Sequence, residues 1–155
     1  MEKAKNKILF IDDDERHLVA AKELLEAEGY EVVTHLGWFG STNMVKDIQP
    51  DLVLLDVNMP GLSGDRLSSL LLSNYYTKNV PIVFYSSNDE DSLRKTVAEH
   101  GVKGYICKGD IRELKRKLAY YLDLSCKYDS DTQKPDGLQG MRKPHRSPLE
   151  GARLG

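Results

Sequence analysis

Apolar runs too short to be helices alternate with helical stripes along the first 124 residues. The run from Lys7 to Ile11 stops at Asp12-Asp13-Asp14. Beyond it Leu18, Ala21 and Leu25 recur at helical spacing and Gly29 supplies a stop, so a strand precedes a helix. Tyr30 to Thr34 predicts a second strand, Ser41 is placed as the cap of a helix through about Ile48, and Pro50-Asp51 announces a third strand. Leu52 to Leu55 is apolar at every position, as a strand covered on both faces should be. The turn-rich MPGLSG segment leads to a stripe of Leu67, Leu70 and Leu71, then to a fourth strand from Pro81 to Tyr85. Asn88 is placed as the cap of a helix carrying Leu93 and Val97, and Gly101 and Gly104 bracket the step into a fifth strand, Tyr105 to Cys107. Asp110 opens a last helix with Ile111, Leu114, Leu118 and Leu122 on one face.

This alternation predicts an open, doubly wound α/β domain, a parallel sheet with helices on both sides. Its ligand crevice belongs at the C-terminal ends of the strands, where the winding reverses. Periodicity leaves the strand order open. After about Leu124 the pattern stops, and residues 125–155 are rich in Gly, Pro, Ser and charge. The expectation is one domain over 1–124 and a flexible tail over 125–155, the latter too short for a DNA-binding domain, with expression-derived residues as the alternative reading from about Gly137.

Composition narrows the class. Forty per cent hydrophobic and 30% charged residues are ordinary for a water-soluble protein. No apolar run approaches the roughly 18 to 20 residues of a membrane span, and the N-terminus does not read as a secretory signal, so a cytoplasmic location is expected. Cys107 and Cys126 form neither a CxxC pair nor a set with nearby histidines at zinc spacing. The net charge of -2 gives no general pull toward nucleic acid. Residues 125–155 hold six Lys and Arg against four Asp and Glu, so the acidic excess lies in the body.

The chemistry collects where the crevice should be. Asp12, Asp13 and Asp14 follow the first strand, Asp56 the third, Ser86 and Ser87 the fourth, and Lys108 the fifth. Carboxylates held close together repel unless a cation sits among them, and magnesium suits an all-oxygen site of one or two carboxylates plus phosphate oxygens. Lys108 adds a point charge and Ser86 a hydroxyl, both suited to phosphoryl oxygens. Taken singly, each feature has a plainer reading: an acidic triplet caps a helix, a Ser pair makes a turn, a strand-end Asp or Lys is solvated. Their convergence on one sheet edge favours a phosphoryl-transfer site.

The segments ILFIDDDE, PDLVLLDVNMPGLSG, PIVFYSS and GVKGYICKG resemble, in order and spacing, the receiver domain of response regulators in two-component signalling. The resemblance spans roughly residues 5–124 and is closest in kind to stand-alone, chemotaxis-type regulators. It implies a flavodoxin-like sheet of order 2-1-3-4-5 with five helices. It implies that Asp56 takes a phosphoryl group from a sensor histidine kinase or a histidine phosphotransfer protein. Asp13 and Asp12, with Asp56 and the backbone carbonyl of Asn58, would hold Mg2+. Asp14 would start the helix, Ser86 and Lys108 would bind phosphate, Tyr105 would be the aromatic switch, and Asn58 and Asn88 would tune hydrolysis. The signal would pass to a downstream protein, with a homodimer through the fourth helix, fifth strand and fifth helix as one form of output. No direct contact with nucleic acid or membrane is implied, and no enzyme activity beyond self-phosphorylation and autodephosphorylation.

Departures from the family pattern bear on this. Gly109 stands where a proline commonly follows the lysine in a cis bond; a cis bond before glycine costs about 2.5 to 4 kcal/mol, so trans geometry or a reshaped loop is expected, with some displacement of Lys108. Ser87 stands where Ala or Gly is usual. Trp38-Phe39 is read first as core packing, then as a partner site. His17, His35, His100 and His145 are read as solvated or packed. Tyr120 and Tyr121 cannot both face the core, and Arg94, Lys95, Arg112 and Arg116 are read as a solvated face. Two other functions compete: a receiver-like interaction module that needs no phosphate, hinted at by Gly109, and an aspartate-nucleophile phosphatase using Asp12 and Asp14. The second has Arg16 where that motif wants Thr or Val, and the chain has no room for a cap domain.

Overall fold

The structure, a computed structural model, describes residues 5–131, with side chains through Asp123. Strands and helices alternate: β1 (Lys7–Asp12), α1 (Glu15–Ala27), β2 (Glu31–Leu36), α2 (Ser41–Ile48), β3 (Leu52–Leu55), α3 (Gly64–Ser73), β4 (Ile82–Ser86), α4 (Glu90–His100), β5 (Gly104–Cys107) and α5 (Ile111–Asp131). The contacts divide the chain into Met1–Leu122 and Asp123–Gly155, and the sheet and the site belong to the first unit. The last helix continues to Asp131. The rest of the expected tail, 132–155, lies outside the described residues. No helix among the described residues is long and apolar enough to cross a membrane.

All strand pairs are parallel and the order is β2-β1-β3-β4-β5, the doubly wound sheet that the alternation and the family resemblance led us to expect. Because successive side chains on a strand point to opposite faces, each central strand feeds two cores. Ile8 and Phe10 of β1, with Leu52 and Leu54 of β3, pack under Leu18, Leu25, Leu114 and Leu118 of α1 and α5. Leu9, Ile11, Val53 and Leu55 pack on the other face under Val45, Leu67, Leu71 and Leu93 of α2, α3 and α4. Full burial of one such side chain contributes about 1.5 to 3 kcal/mol, so two apolar layers hold the sheet together.

Several local expectations are corrected. The second strand begins at Glu31 and runs to Leu36, because pairing with β1 continues from Lys7↔Glu31 to Asp12↔Leu36. Ser41 is the first residue of α2 and not its cap. The cap is Gly40 with φ +82, and the Ser41 hydroxyl donates to the Trp38 carbonyl at 2.6 Å. Asp89, not Asn88, caps α4 by accepting from the Ser92 amide at 2.9 Å. Leu70 and Ile111 are exposed, outside the stripes assigned to them. Trp38 and Phe39 are exposed too, Phe39 at 79%, which overturns the core reading of that pair. They stack edge to face in the β2–α2 loop, with the Trp38 indole against Gly61.

Candidate functional site

Reversal of winding between β1 and β3 opens a crevice over their C-terminal ends, and these ends carry the carboxylates. Asp12 is the last residue of β1 and fully buried. Its Oδ1 accepts from the Asp14 amide at 2.9 Å, and its Oδ2 accepts from Lys108 Nζ at 2.8 Å. Asp13 is exposed at the rim, and one oxygen each from Asp12, Asp13 and Asp56 lie within 4.8 Å of one another. Asp14 caps α1, accepting from the Arg16 amide at 2.9 Å. The Arg16 guanidinium closes on the same carboxylate and holds its pKa down to about 2. That agrees with the helix-start role given to Asp14.

Asp56 follows β3 directly and is 3% exposed. Its amide donates to the Ile11 carbonyl at 2.9 Å, which ties its backbone to β1. Behind it Gly64 begins α3, and a Cβ there would collide with the Asp56 carbonyl, so only glycine lets α3 approach the site this closely. Burial pushes the Asp56 carboxyl up to about 6; Lys108 opposes that rise and Asp12 adds to it. A carboxylate with its pKa raised among like charges is short of positive charge. Oxygen donors alone, two of them buried, fit a hard divalent cation such as magnesium and not a soft one.

Ser86 and Lys108 arrive from β4 and β5. Ser86 is fully buried, and its hydroxyl accepts from the Asn88 amide at 3.1 Å and from Asn58 Nδ2 at 3.3 Å. Asn58 Nδ2 also donates to Asn88 Oδ1 at 2.8 Å, so the two residues expected to tune hydrolysis bridge the cleft beside Asp56. The Asn58 amide lies 3.4 Å from Asp56 Oδ1. Lys108 Nζ lies 3.4 Å from Asp56 Oδ1. There are no cis peptide bonds among the described residues, and Gly109 has φ +113, where a proline ring, locked near -65°, cannot go. The bond before Gly109 is trans, as expected, and Lys108 reaches both carboxylates.

Tyr105 faces outward, its hydroxyl donating to Glu90 Oε2 at 2.6 Å and its ring lying 4.3 Å from Lys117 Nζ. Tyr121 is half-buried and donates to the Tyr105 carbonyl at 3.4 Å, whereas Tyr120 is exposed, so the pair does split as expected. Arg94 and Arg116 are exposed and paired with neighbours on their own helices.

His17 is the neighbour of the site that sequence reasoning missed. It sits 3.3 Å from Asp12 Oδ2 and 3.1 Å from Lys108 Nζ, not apart from the chemistry. The available signal was its spacing: three positions after Asp14 on a helix, it shares the face turned to the crevice. A cleft of about 340 Å³, lined by Asp13, His17, Asp56, Asn58, Ser87 and Lys108, leaves Asp56 approachable from solvent.

Residues 8–119 match the family model of the response regulator receiver domain. The chain is 30% identical over 103 residues to RcaC of Microchaete diplosiphon, a match covering 66% of this chain but only 16% of RcaC. It is 25% identical over 105 residues to the polar-differentiation response regulator DivK of Brucella ovis, covering 65% of this chain and 82% of DivK. Among solved structures, chemotaxis protein CheY4 of Vibrio cholerae superposes with a TM-score of 0.70 at 22% identity, over 76% of this chain and 98% of that one. The receiver domain of sensor histidine kinase PA1611 from Pseudomonas aeruginosa, solved with magnesium in its active-site cleft, gives 0.69 at 21%, over 77% and 99%. The BeF3-activated receiver domain of Klebsiella pneumoniae RstA gives 0.68 at 29%, over 76% and 98%. The cluster of Asp12, Asp13 and Asp56 fits the magnesium site of such domains. This chain belongs to the response-regulator receiver family.

Proposed function

We propose that this chain is a phosphorylation-competent receiver, residues 1–124, whose Asp56 takes a phosphoryl group from a phosphohistidine on a histidine kinase or phosphotransfer protein. The observation that carries this is Lys108 Nζ spanning Asp12 and Asp56 at the floor of an open cleft. An Asp56 oxygen forms the new O–P bond as the donor's P–N bond breaks, and the electron pair leaves with the donor's imidazole. The cleft supplies the line of approach, and Lys108 offsets charge on the phosphoryl oxygens. Asp12, Asp13, Asp56 and the Asn58 carbonyl would hold Mg2+, which supplies further neutralisation of those oxygens.

A phosphoryl group on Asp56 adds acceptor oxygens beside Ser86. The Ser86 hydroxyl then turns from Asn58 and Asn88 to donate to one of them, and vacates space on the β5 side. Tyr105 leaves Glu90 and fills it, which changes the surface of α4, β5 and α5 that a downstream protein or a second copy reads. Asn58 and Asn88, bonded across the cleft, govern water access to the acyl phosphate and hence the lifetime of the signal. Such a domain is a signalling module, and a cytoplasmic setting fits it.

The test is to incubate the protein and its Asp56→Asn variant with acetyl phosphate and magnesium and measure intact mass. A gain of one phosphoryl group in the first and none in the second is expected. No gain in either points to an interaction module that works without phosphate, and a gain retained in Asp56→Asn sinks the assignment of the acceptor.

A further inference from the structure

Three side chains contact the Lys108 ammonium: Asp12, Asp56 and His17. Its amide is held by the Ser86 carbonyl at 2.8 Å, but the next residue is Gly109 at φ +113, where even a Cβ would meet nothing within 4 Å. The Lys108 side chain is only 13% exposed, so its stem is enclosed, and the contacts of its ammonium decide where Nζ points. The Tyr85 ring, 5.5 Å from Nζ, covers one side, and Asp12 and Asp56 draw the ammonium inward.

His17 supplies the remaining contact. Its Nδ1 lies 3.1 Å from Lys108 Nζ, and its Nε2 lies 3.7 Å from Asp14 Oδ2. An ammonium has hydrogens to give and no lone pair, so the contact is a bond only when Nδ1 carries no hydrogen and accepts. The ring hydrogen then sits on Nε2, facing Asp14, itself fixed by Arg16 and the first turn of α1. The other tautomer would donate Nδ1–H to Asp12 Oδ2 at 3.3 Å, but it would set two donors against each other at the shorter 3.1 Å contact with Lys108.

From this arrangement we infer that His17 is a positioning residue for Lys108: its Nδ1 accepts from the ammonium and holds it where it meets the phosphoryl group arriving at Asp56. It touches neither the reacting oxygen nor the phosphorus. The inference rests on the reading of Asp56 as phosphoryl acceptor. The step it serves breaks the donor's P–O bond, in acetyl phosphate, as the Asp56 O–P bond forms, and acetate departs with the electron pair.

The experiment measures phosphorylation rates with acetyl phosphate and magnesium for the full chain, His17→Leu and His17→Asn, each also combined with Lys108→Met, after thermal melts establish that the variants fold. His17→Leu is expected to be about fivefold to tenfold slower, the effect of losing one half-exposed hydrogen bond from a charged donor. His17→Asn, whose Oδ1 offers an acceptor where Nδ1 stood, should recover to within about twofold of the parent. In the Lys108→Met background His17→Leu should add no further loss, since the two act as one unit. A His17→Leu rate equal to the parent's, or an equal slowing with and without Lys108, overturns the inference while leaving Asp56 as acceptor.

A parent protein that gains no phosphoryl group counts against the acceptor reading. The histidine is then decided on metal-free protein by long-range proton–nitrogen NMR at alkaline pH. An Nε2–H ring whose Nδ1 resonance moves in Lys108→Met supports the inference, and an Nδ1–H ring overturns it.

Discussion

Lys108 and Asp12 stand 96 positions apart in sequence, and their side chains meet at 2.8 Å. The contact joins the end of β5 to the end of β1 across β4 and β3, and it places one cation among three carboxylates. The site is thus left with excess negative charge unless metal binds. Asp13→Asn should therefore stabilise the metal-free protein by about 0.5 to 1 kcal/mol, the scale of an exposed charge interaction, because Asp13 lies at the solvent rim. Magnesium, which should raise the melting temperature of the parent, should no longer do so in the variant. Thermal melts in chelator and in millimolar magnesium check both signs, and a destabilised metal-free Asp13→Asn would show that repulsion does not govern the cluster.

Asp56 sets a pH dependence of defined sign. Its folded-state pKa is raised from 3.8 to about 6, chiefly by burial, so between those values the folded protein holds a proton that the unfolded chain has lost. Stability must then fall as pH rises through that window, by on the order of 3 kcal/mol in metal-free protein, and stay at the lower level above it. Asp56→Asn lacks this loss. Urea denaturation of both proteins from pH 4 to 8 in chelator should give a stability difference that favours the variant, widens up to about pH 6 and then levels off.

Gly64 is where α3 presses on Asp56. Gly64→Ala puts a methyl group into the Asp56 carbonyl, backbone against backbone, where no flexible side chain can yield. The variant should lose about 2 to 3 kcal/mol, at the upper end of overpacking effects, and its phosphorylation should slow as Asp56 shifts. Chemical denaturation together with the mass assay decides this; an alanine variant as stable and as reactive as the parent is the outcome that excludes it.

Glu90 holds the outward position of Tyr105, and that hydrogen bond is also the main reason its own carboxyl sits below the usual range. Glu90→Ala should leave the core untouched and raise the inward population of the Tyr105 ring by about twofold to fivefold, since one exposed hydrogen bond biases the two positions. Side-chain NMR of labelled tyrosine reads the ring directly. An unchanged ring signal would mean that Lys117, stacked on its face, suffices to hold it.

The fold was legible because the central strands are buried on both faces, so Leu9 to Ile11 and Leu52 to Leu55 could not be read as half-exposed. The crevice followed from topology, and Asp12, Asp56, Ser86 and Lys108 all stand at strand ends, where an apolar run breaks sharply into polar residues. His17 and the true cap of α4 were not legible. His17 lies in a helix beside exposed residues, and only the path of Lys108 across the sheet gives it a partner. Asn88 and Asp89 are both good caps, and what decides between them is that Asn88 is already engaged with Ser86 and Asn58. Trp38 and Phe39 misled for a different reason: aromatic residues usually signal burial, but these occupy a loop off the edge strand, where the sheet has no further layer to cover them.

That loop has a practical side. Trp38 is the chain's one tryptophan, and its indole rests on Gly61 in the segment that links Asp56 to α3. The protein therefore carries an intrinsic fluorophore against the segment that follows Asp56, with no second emitter of its kind to mask it. Any shift of the 58–63 segment alters the polarity and quenching around the indole. Emission in real time, without a label and without a partner present, is therefore a direct assay of the metal binding and acyl-phosphate turnover proposed for Asp56.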